Sequence, residues 1–248
     1  MEPHALILGG TKGLGRSLAI EAIRRDIRPV VVGRSVEQCV QDEELRGALL
    51  VAGDIRDPDE LVERLSAARA LNAPRYVFWV AGIFQQRGIT DSGYEDDQFL
   101  NLALTHFLGP RTFLREFTMR RRGALPYHLV TVSSTSSWRV RDNETDYSAL
   151  QAAKAHWTRN FARELTRDLP GSKTTLVHPG GMKNPNFYAG TERDISGFMN
   201  PADVARIIWD RVTGQAQPFA EFQIIRNNDG SARVEEGSRA PASPLVTA

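Results

Sequence analysis

The sequence predicts an α/β fold built around one doubly wound, parallel β-sheet of about seven strands, with helices on both faces. Short segments of apolar and β-branched residues alternate along the chain with longer segments of helical periodicity. The short segments are apolar almost throughout, a pattern typical of parallel strands covered on both faces. A chain of 248 residues without an evident linker or internal repeat fits one large domain.

The predicted elements follow one another in strict alternation. Strands are predicted at residues 5–8, 30–33, 49–52, 76–80, 128–132, 174–178 and 221–225. Helices are predicted at residues 13–25, 36–44, 59–70, 96–122, 145–168 and 201–212. Asp57-Pro58 and Asn200-Pro201 place an N-cap residue and a proline at the start of two helices. We interpret the run from Arg120 to Gly123 as a solvated helix end rather than a phosphate-binding patch.

The domain is expected to span residues 1–228. Residues 180–200 show little helical or strand pattern, so we predict a mobile loop that contacts substrate. Residues 229–248 are rich in Gly, Ser, Ala and Pro, and we expect them to form a disordered tail.

Composition excludes several classes of function. The net charge of +1 gives no overall attraction to nucleic acid or to a membrane surface, and no apolar run approaches the ~20 residues that cross a bilayer. The single cysteine excludes an internal disulfide and any CxxC motif. Histidine spacing matches no metal motif, so no metal site is expected. We expect a soluble cytoplasmic protein that acts on a small molecule.

A glycine-rich turn follows the first predicted strand and opens the first predicted helix. Gly9 permits the tight turn, whereas Gly13 and Gly15 allow close approach of the backbone to a pyrophosphate and of the helix to the sheet. The helix N-terminus supplies N–H groups and partial positive charge for phosphate. Because the turn has the strand–helix context that this mechanism needs, we predict a Rossmann-like dinucleotide site. Its residues are Gly9, Thr11, Lys12, Gly13, Leu14 and Gly15.

The charge at the end of the second strand favours NADP(H) over NAD(H). A carboxylate there would bind the ribose 2′-hydroxyl of NAD, but this chain has Arg34 and no acid. Lys12 adds a second cation for a 2′-phosphate. Asp54 and Ile55, after the third strand, are expected to border the adenine. NADPH is therefore the expected cofactor, and NADH is the less favoured one.

The order of several motifs resembles that of the short-chain dehydrogenase/reductase family. The resemblance covers about residues 4–226 and is carried by Gly9-x3-Gly13-x-Gly15, Asp54, Ala81-Gly82, Ser134, Tyr147-Ser148-Ala149 and Pro179-Gly180. It implies carbonyl–alcohol hydride exchange with a nicotinamide cofactor, with Tyr147 as acid/base and Ser134 orienting the carbonyl oxygen. It also implies cofactor contacts from Ala81, Gly82, Pro179, Gly180, Met182 and Asn184. A homodimer or homotetramer is implied in the same way.

Two positions depart from the family pattern. Gln151 stands where the family's Tyr-x3-Lys motif has lysine, and the next lysine is Lys154. On a helix Lys154 shares a face with Tyr147 but lies ~4.5 Å further along than position 151. Gln151 could bind the nicotinamide ribose, although a neutral amide cannot lower the pKa of Tyr147. His106 stands at the usual asparagine of the proton relay, and a buried structural histidine is the equally weighted alternative.

The function expected is that of an NADPH-dependent ketoreductase or alcohol dehydrogenase with Tyr147, Ser134, Lys154, Gln151 and His106 as its catalytic set. A catalytically silent NADP(H)-binding sensor or scaffold is the alternative, and enoyl reductase-like activity, from the Tyr-x6-Lys spacing, is a minor one. The substrate is a small carbonyl or alcohol. An apolar or aromatic one is favoured by aromatic residues in the predicted loops: Phe84, Trp138, Phe187, Tyr188 and Phe198.

Overall fold

The computed structural model describes residues 4–71, 74–121, 123 and 125–237. Its strands are β1 (His4–Leu8), β2 (Arg28–Gly33), β3 (Leu49–Ala52), β4 (Tyr76–Trp79), β5 (His128–Val132), β6 (Lys173–Pro179), β7 (Phe219–Arg226) and β8 (Ala232–Glu236). Its α-helices are α1 (Gly13–Arg24), α2 (Pro58–Ala67), α3 (Asp96–Ala103), α4 (Gly109–Arg120), α5 (Thr145–Asp168) and α6 (Pro201–Gly214).

The strands form one sheet in the order β3-β2-β1-β4-β5-β6-β7-β8. The strands β1 to β7 run parallel, and β8 pairs antiparallel with β7. From β1 the chain moves outward through β2 to β3 and then returns to β4 on the other side of β1. The order of strands thus reverses between β1 and β4, and ligands bind at the carboxyl ends of the strands at such a point. The predicted Rossmann-like α/β fold is confirmed.

Two hydrophobic layers cover the sheet, one on each face. Alternation along β1 sends Ala5 and Ile7 into one layer and Leu6 and Leu8 into the other, and all four are fully buried. Residues of α1 and α6 complete the first layer, and residues of α2, α4 and α5 complete the second. Such burial on both faces explains why the strands are apolar almost throughout.

The sheet has one strand more than predicted, and it lies where a disordered tail was expected. β8 occupies residues 232–236, with Val234 opposite Ile224 of β7. A tight turn joins the two strands: the Asn227 N–H donates to the Ser231 carbonyl oxygen at 2.8 Å, and Gly230 has φ +84°. The polar residues of this turn resemble those of disordered segments, which is why the sequence predicted a tail here. Residues 238–248 of the predicted tail lie outside the described residues.

Two predicted helices differ in kind from the observed structure. Residues 36–44 do not form one α-helix but two short 3₁₀ helices, Val36–Cys39 and Glu43–Leu45. Asp42 separates them, because its carboxylate accepts from the Glu44 N–H and from Arg16. The predicted helix over 96–122 is interrupted by a π-helical turn, Leu104–Leu108, between α3 and α4.

The basic end of α4 is less solvated than expected. Arg120 is exposed, but Arg121 is only 5% exposed and donates to the Leu125 carbonyl oxygen. Its guanidinium lies over the rings of Phe117 and Tyr127. Cation–π contacts therefore compensate part of the cost of burying this charge. Arg122 lies outside the described residues.

We expect Trp209→Ala to lower the free energy of unfolding by about 3–5 kcal/mol. Trp209 of α6 is fully buried, packs against Tyr76 and Phe78, and donates its indole N–H to the Leu18 carbonyl oxygen at 2.9 Å. The substitution leaves a cavity and removes the hydrogen bond that joins α6 to α1. Urea unfolding monitored by circular dichroism measures the loss. Arg206→Ala, an exposed position of the same helix, serves as control and should change stability by less than ~0.5 kcal/mol. A Trp209→Ala variant as stable as this control would contradict the packing role.

Candidate active site

A cleft of about 810 Å³ runs along the carboxyl ends of the strands at the switch point. Loops after β1, β2, β3, β4, β5 and β6 line it, so residues far apart in sequence meet there. The structure brings together all of the predicted site residues except Gly13 along its walls. Gly13 faces the side chain of Asn184 instead, and a Cβ atom at residue 13 would lie 2.1 Å from the Asn184 amide nitrogen.

The glycine turn leaves the N-terminus of α1 open toward the cleft. Gly9 has φ +91°, and a Cβ atom there would lie 2.6 Å from the Ala81 backbone, so only glycine fits. Lys12 is the N-cap residue, yet its side chain does not cap the helix, and the first turn holds no acidic residue. The N–H groups and positive end of the helix dipole therefore remain available to an anion. These residues fit the pyrophosphate of a dinucleotide.

Two cations and one neutralised carboxylate line the adjoining part of the cleft. Lys12 and Arg34 are both exposed at its wall. Asp54 lies nearby, but its carboxylate accepts from the backbone N–H and guanidinium of Arg56. Burial acts to raise the pKa of Asp54, and these hydrogen bonds, together with the charges of Arg56 and Arg34, hold it below the usual value. The local charge therefore favours an anionic ligand group.

Tyr147 and Ser134 meet at the floor of the cleft. Ser134 lies two residues after the end of β5, and Tyr147 lies in the first turn of α5, where it is 6% exposed. Burial raises the pKa of Tyr147, whereas a hydrogen bond with Ser134 and the charge of Arg141 act in the opposite direction. Because burial dominates, the phenol is protonated at neutral pH. Two hydroxyl groups are thus held side by side, one of them a buried proton donor.

His106 lies in the π-helical turn and orients Gln151. Its ring packs over Gly82, where a Cβ atom would lie 2.6 Å from Cε1. Nε2 is 2.6 Å from the Ile83 carbonyl oxygen, and Nδ1 is 3.1 Å from the Gln151 amide nitrogen. Burial, with a smaller contribution from the charge of Lys154, lowers the pKa of His106 to about 3, so the ring is neutral. A neutral ring that donates from Nε2 accepts at Nδ1, which fixes Gln151 with its amide nitrogen toward His106.

The other end of the Gln151 amide has no partner. Oε1 is buried and without a hydrogen bond among the described residues, and the side chain is 3% exposed along the cleft wall. An unpaired buried acceptor costs free energy, so a donor from a bound ligand would satisfy it. Contact between Gln151 and a cofactor stays a prediction.

Lys154 is a buried cation at the base of the cleft. Its side chain is 1% exposed, and Nζ lies 4.5 Å from the centroid of the Trp79 ring. Burial lowers its pKa to about 7. Cation–π attraction to Trp79 offsets part of the cost of the buried charge. Trp79 is the last residue of β4, so this contact joins β4 to α5.

Residues 180–200 fold over the cleft. Met182 pairs with Met199 in an isolated parallel bridge, and Arg193 donates to Glu144, the residue before α5, at 2.8 Å. Phe84, Phe187, Tyr188 and Phe198 form a connected aromatic cluster beside Tyr147. Trp138 is not among the lining residues and packs on His178 at 4.4 Å, contrary to the expected pocket position. Mobility of the loop stays a prediction.

Several lining residues were missed by sequence analysis. Arg139, Arg141 and Glu144 lie between β5 and α5, and Arg193 lies in the loop 180–200. The one signal in the sequence was that these residues follow predicted parallel strands, because ligands bind at the carboxyl ends of such strands. No spacing rule shows that Arg193 and Glu144 pair, because they come from separate loops. Among described residues, no helix is long and apolar enough to cross a membrane, and no group of three metal-binding side chains is found.

The sequence pattern of the short chain dehydrogenase family matches residues 3–193. This chain belongs to that family, and it is an oxidoreductase of the Rossmann-like type. A 7beta-hydroxysteroid dehydrogenase of Clostridium sardiniense is 23% identical over 257 residues, with 97% of this chain and 92% of the relative covered. An uncharacterized oxidoreductase of Myxococcus xanthus (strain DK1622) is 30% identical over 200 residues, covering 73% and 72%.

Solved structures share the fold at low sequence identity. The 3-ketoacyl-(acyl-carrier-protein) reductase from Brucella melitensis, complexed with NADH, superposes with a TM-score of 0.76, and a short-chain dehydrogenase from Streptomyces avermitilis superposes with a TM-score of 0.74. The Brucella melitensis reductase is 19% identical, and the match covers 92% of this chain and 98% of that chain. At this identity the likeness establishes the fold and leaves the cofactor and substrate to be argued from the residues.

We expect Lys154→Met to stabilise the protein without ligand, and the gain to shrink as pH rises. Below pH 7 the lysine is charged in both states, and the native state carries the full cost of burial. Between its native pKa of about 7 and the ordinary lysine pKa of 10.5 the unfolded state binds more protons, so wild-type stability rises with pH. Urea unfolding at pH 6.5 should show a gain on the order of 2 kcal/mol, and at pH 9.5 a smaller one. Exposed Lys183→Met is the control; a gain equal at both pH values would contradict the assignment.

Proposed function

We propose that this oxidoreductase is an NADPH-dependent ketoreductase, or alcohol dehydrogenase in the reverse direction, with Tyr147 as acid/base. The observation that carries the proposal is that Tyr147 and Ser134 line the same cleft that the open N-terminus of α1 faces. The substrate is a small carbonyl or alcohol compound with an apolar or aromatic body, because the neighbouring wall is aromatic.

The chemistry assigned to the chain is proton transfer and orientation. The nicotinamide supplies the hydride. Ser134 and Tyr147 present two hydroxyl groups to one point, where they would hold the carbonyl oxygen. As negative charge develops on that oxygen, Tyr147 donates its proton, for which its raised pKa keeps it ready at neutral pH. The reverse reaction needs the tyrosinate and is therefore the slower direction at neutral pH.

The remaining groups form an altered catalytic set. Gln151, oriented by His106, would accept a hydrogen bond from the nicotinamide ribose through its unpaired Oε1. His106 then acts by positioning, since a ring with a pKa of about 3 does not donate a proton as an imidazolium near pH 7. Lys154, three residues after Gln151, supplies positive charge to the site. It takes the role of the lysine that the family pattern has at position 151. Because burial lowers the pKa of Lys154 to about 7, the lysine loses this charge as the pH rises above 7.

The pair Lys12 and Arg34 supports NADPH as the cofactor. Both side chains are exposed on the cleft wall, and the nearby carboxylate of Asp54 is bound by Arg56 and so does not cancel their charge. Pro179, Gly180, Met182 and Asn184, which follow β6 or end it, would hold the nicotinamide. A 2′-phosphate is a double charge that two cations can bind at ordinary salt.

We expect Tyr147→Phe to lower kcat for ketone reduction by at least about 100-fold, because the variant lacks the proton donor. NADPH oxidation at 340 nm, measured with a panel of aromatic ketones, gives the rate. Tyr127→Phe is a matched control, since Tyr127 is also buried but bonds Thr118 away from the cleft. Retention of full activity by Tyr147→Phe would refute the assigned role.

We expect Arg34→Ser to raise KM for NADPH about tenfold and to change KM for NADH by less than about twofold, because the guanidinium would contact only the 2′-phosphate. Initial rates with each cofactor at a saturating ketone concentration measure both constants. Arg46→Ser, an exposed arginine paired with Glu43 outside the cleft lining, is the control. An equal effect on both cofactors would count against NADP(H) preference.

A silent NADP(H)-binding protein is the second candidate, and one observation favours it. No cation near Gln151 lowers the pKa of Tyr147: the contributing charges come from Arg141 and Glu144, and Lys154 is not among them. Such a protein would bind NADPH tightly and would leave every ketone of the panel unreduced. Substrate-dependent oxidation of NADPH would exclude it.

A further inference from the structure

The part of the cleft next to Tyr147 has more positive charge than proton transfer and cofactor binding require. Three arginines from two segments line it: Arg139, Arg141 and Arg193. Among the described lining residues, Glu144 is the carboxylate that faces them, and it is 1% exposed. The other lining carboxylate, Asp54, is bound by Arg56.

One guanidinium already neutralises Glu144. Its Oε1 accepts from Arg193 at 2.8 Å, and its Oε2 accepts from the Ser136 hydroxyl at 3.0 Å. Arg141 lies 3.9 Å from Oε2, beyond hydrogen-bond distance. Within the described part of the chain, no hydrogen bond from the side chain of Arg139 or Arg141 is found. Two guanidinium groups therefore keep their donors available in the cleft.

These groups lie close to the place where the carbonyl would be held. The guanidinium carbon of Arg193 is 5.0 Å from the centroid of Phe84, whose ring is 5.1 Å from that of Tyr147. The charge of Arg141 reaches both Tyr147 and Tyr188, because it acts to lower the pKa of each phenol against the effect of burial. Arg141, Arg193 and the aromatic cluster thus line the same part of the cleft as Tyr147, and Arg139 lines the cleft two residues before Arg141.

We propose that the substrate is a carboxylate-bearing ketone, whose apolar or aromatic body packs on the Phe84 cluster and whose carboxylate binds Arg141 together with Arg139. A planar guanidinium matches a carboxylate with two parallel hydrogen bonds. Arg193 remains with Glu144 and closes the loop over the bound molecule. This inference rests on the proposed function and adds the class of substrate to it.

The test compares a keto acid with its uncharged methyl ester. 4-Oxo-4-phenylbutanoate and its methyl ester are assayed with NADPH in the wild-type enzyme and in Arg141→Gln. We expect kcat/KM for the acid to exceed that for the ester about tenfold in the wild type. Arg141→Gln should remove this preference by lowering kcat/KM for the acid while leaving kcat/KM for the ester unchanged. High salt should reduce the preference in the wild type. Arg141→Lys should retain part of the preference for the acid. Arg120→Gln, at an exposed position of α4, should retain all of it.

Binding separates this inference from the proposed function. 4-Phenylbutanoate and its methyl ester cannot be reduced, so titration calorimetry with NADP⁺ present reads the subsite without turnover. Tighter binding of the acid, lost in Arg141→Gln, supports the subsite even if no ketone is reduced, and in that case the proposed activity alone fails. Equal binding of acid and ester, or an equal loss of both in Arg141→Gln, overturns the subsite whether or not ketones are reduced.

Discussion

The close backbone contact between Gly9 and Ala81 is the constraint on which the rest of the site depends. Because no side chain lies between them, the ends of β1 and β4 are in close contact. The strand that follows β1 lies on one side of this pair, and the strand that follows β4 lies on the other. The N-terminus of α1 then faces the same cleft as the residues that follow β4, β5 and β6. A Cβ atom at residue 9 would meet the Ala81 backbone at 2.6 Å and would push the glycine turn away from the end of β4.

The local parts of this structure could be predicted from sequence because each has a local cause. The strands are apolar on both faces, and the glycine turn sits between a strand and a helix, so the Rossmann-like fold followed from periodicity and turn chemistry. The π-helical turn that carries His106 has no comparable signal, because the groups that His106 contacts, Gly82, Ile83 and Gln151, come from other parts of the chain. β8 was missed because its turn residues resemble those of a disordered segment.

The polar contacts of the site depend on tertiary structure and were therefore beyond the sequence. Gln151 was identified as a departure from the family pattern, yet nothing in its neighbourhood along the chain indicates that His106 holds its amide. Lys154 was placed on the correct face of α5, but its partner Trp79 comes from β4. Helical geometry predicts which face a residue lies on. Which groups meet it there is decided by packing between elements.

The Arg193–Glu144 ion pair has a consequence for the rate at which the cleft can exchange its contents. Glu144 is 1% exposed, so opening the loop far enough to separate the pair leaves a buried carboxylate without its guanidinium. If that separation costs about 3 kcal/mol, roughly one molecule in 150 is open at any moment. In the proposed reaction, substrate entry and product release would both require this ion pair to separate, so one contact between the loop and the residue before α5 would limit both steps.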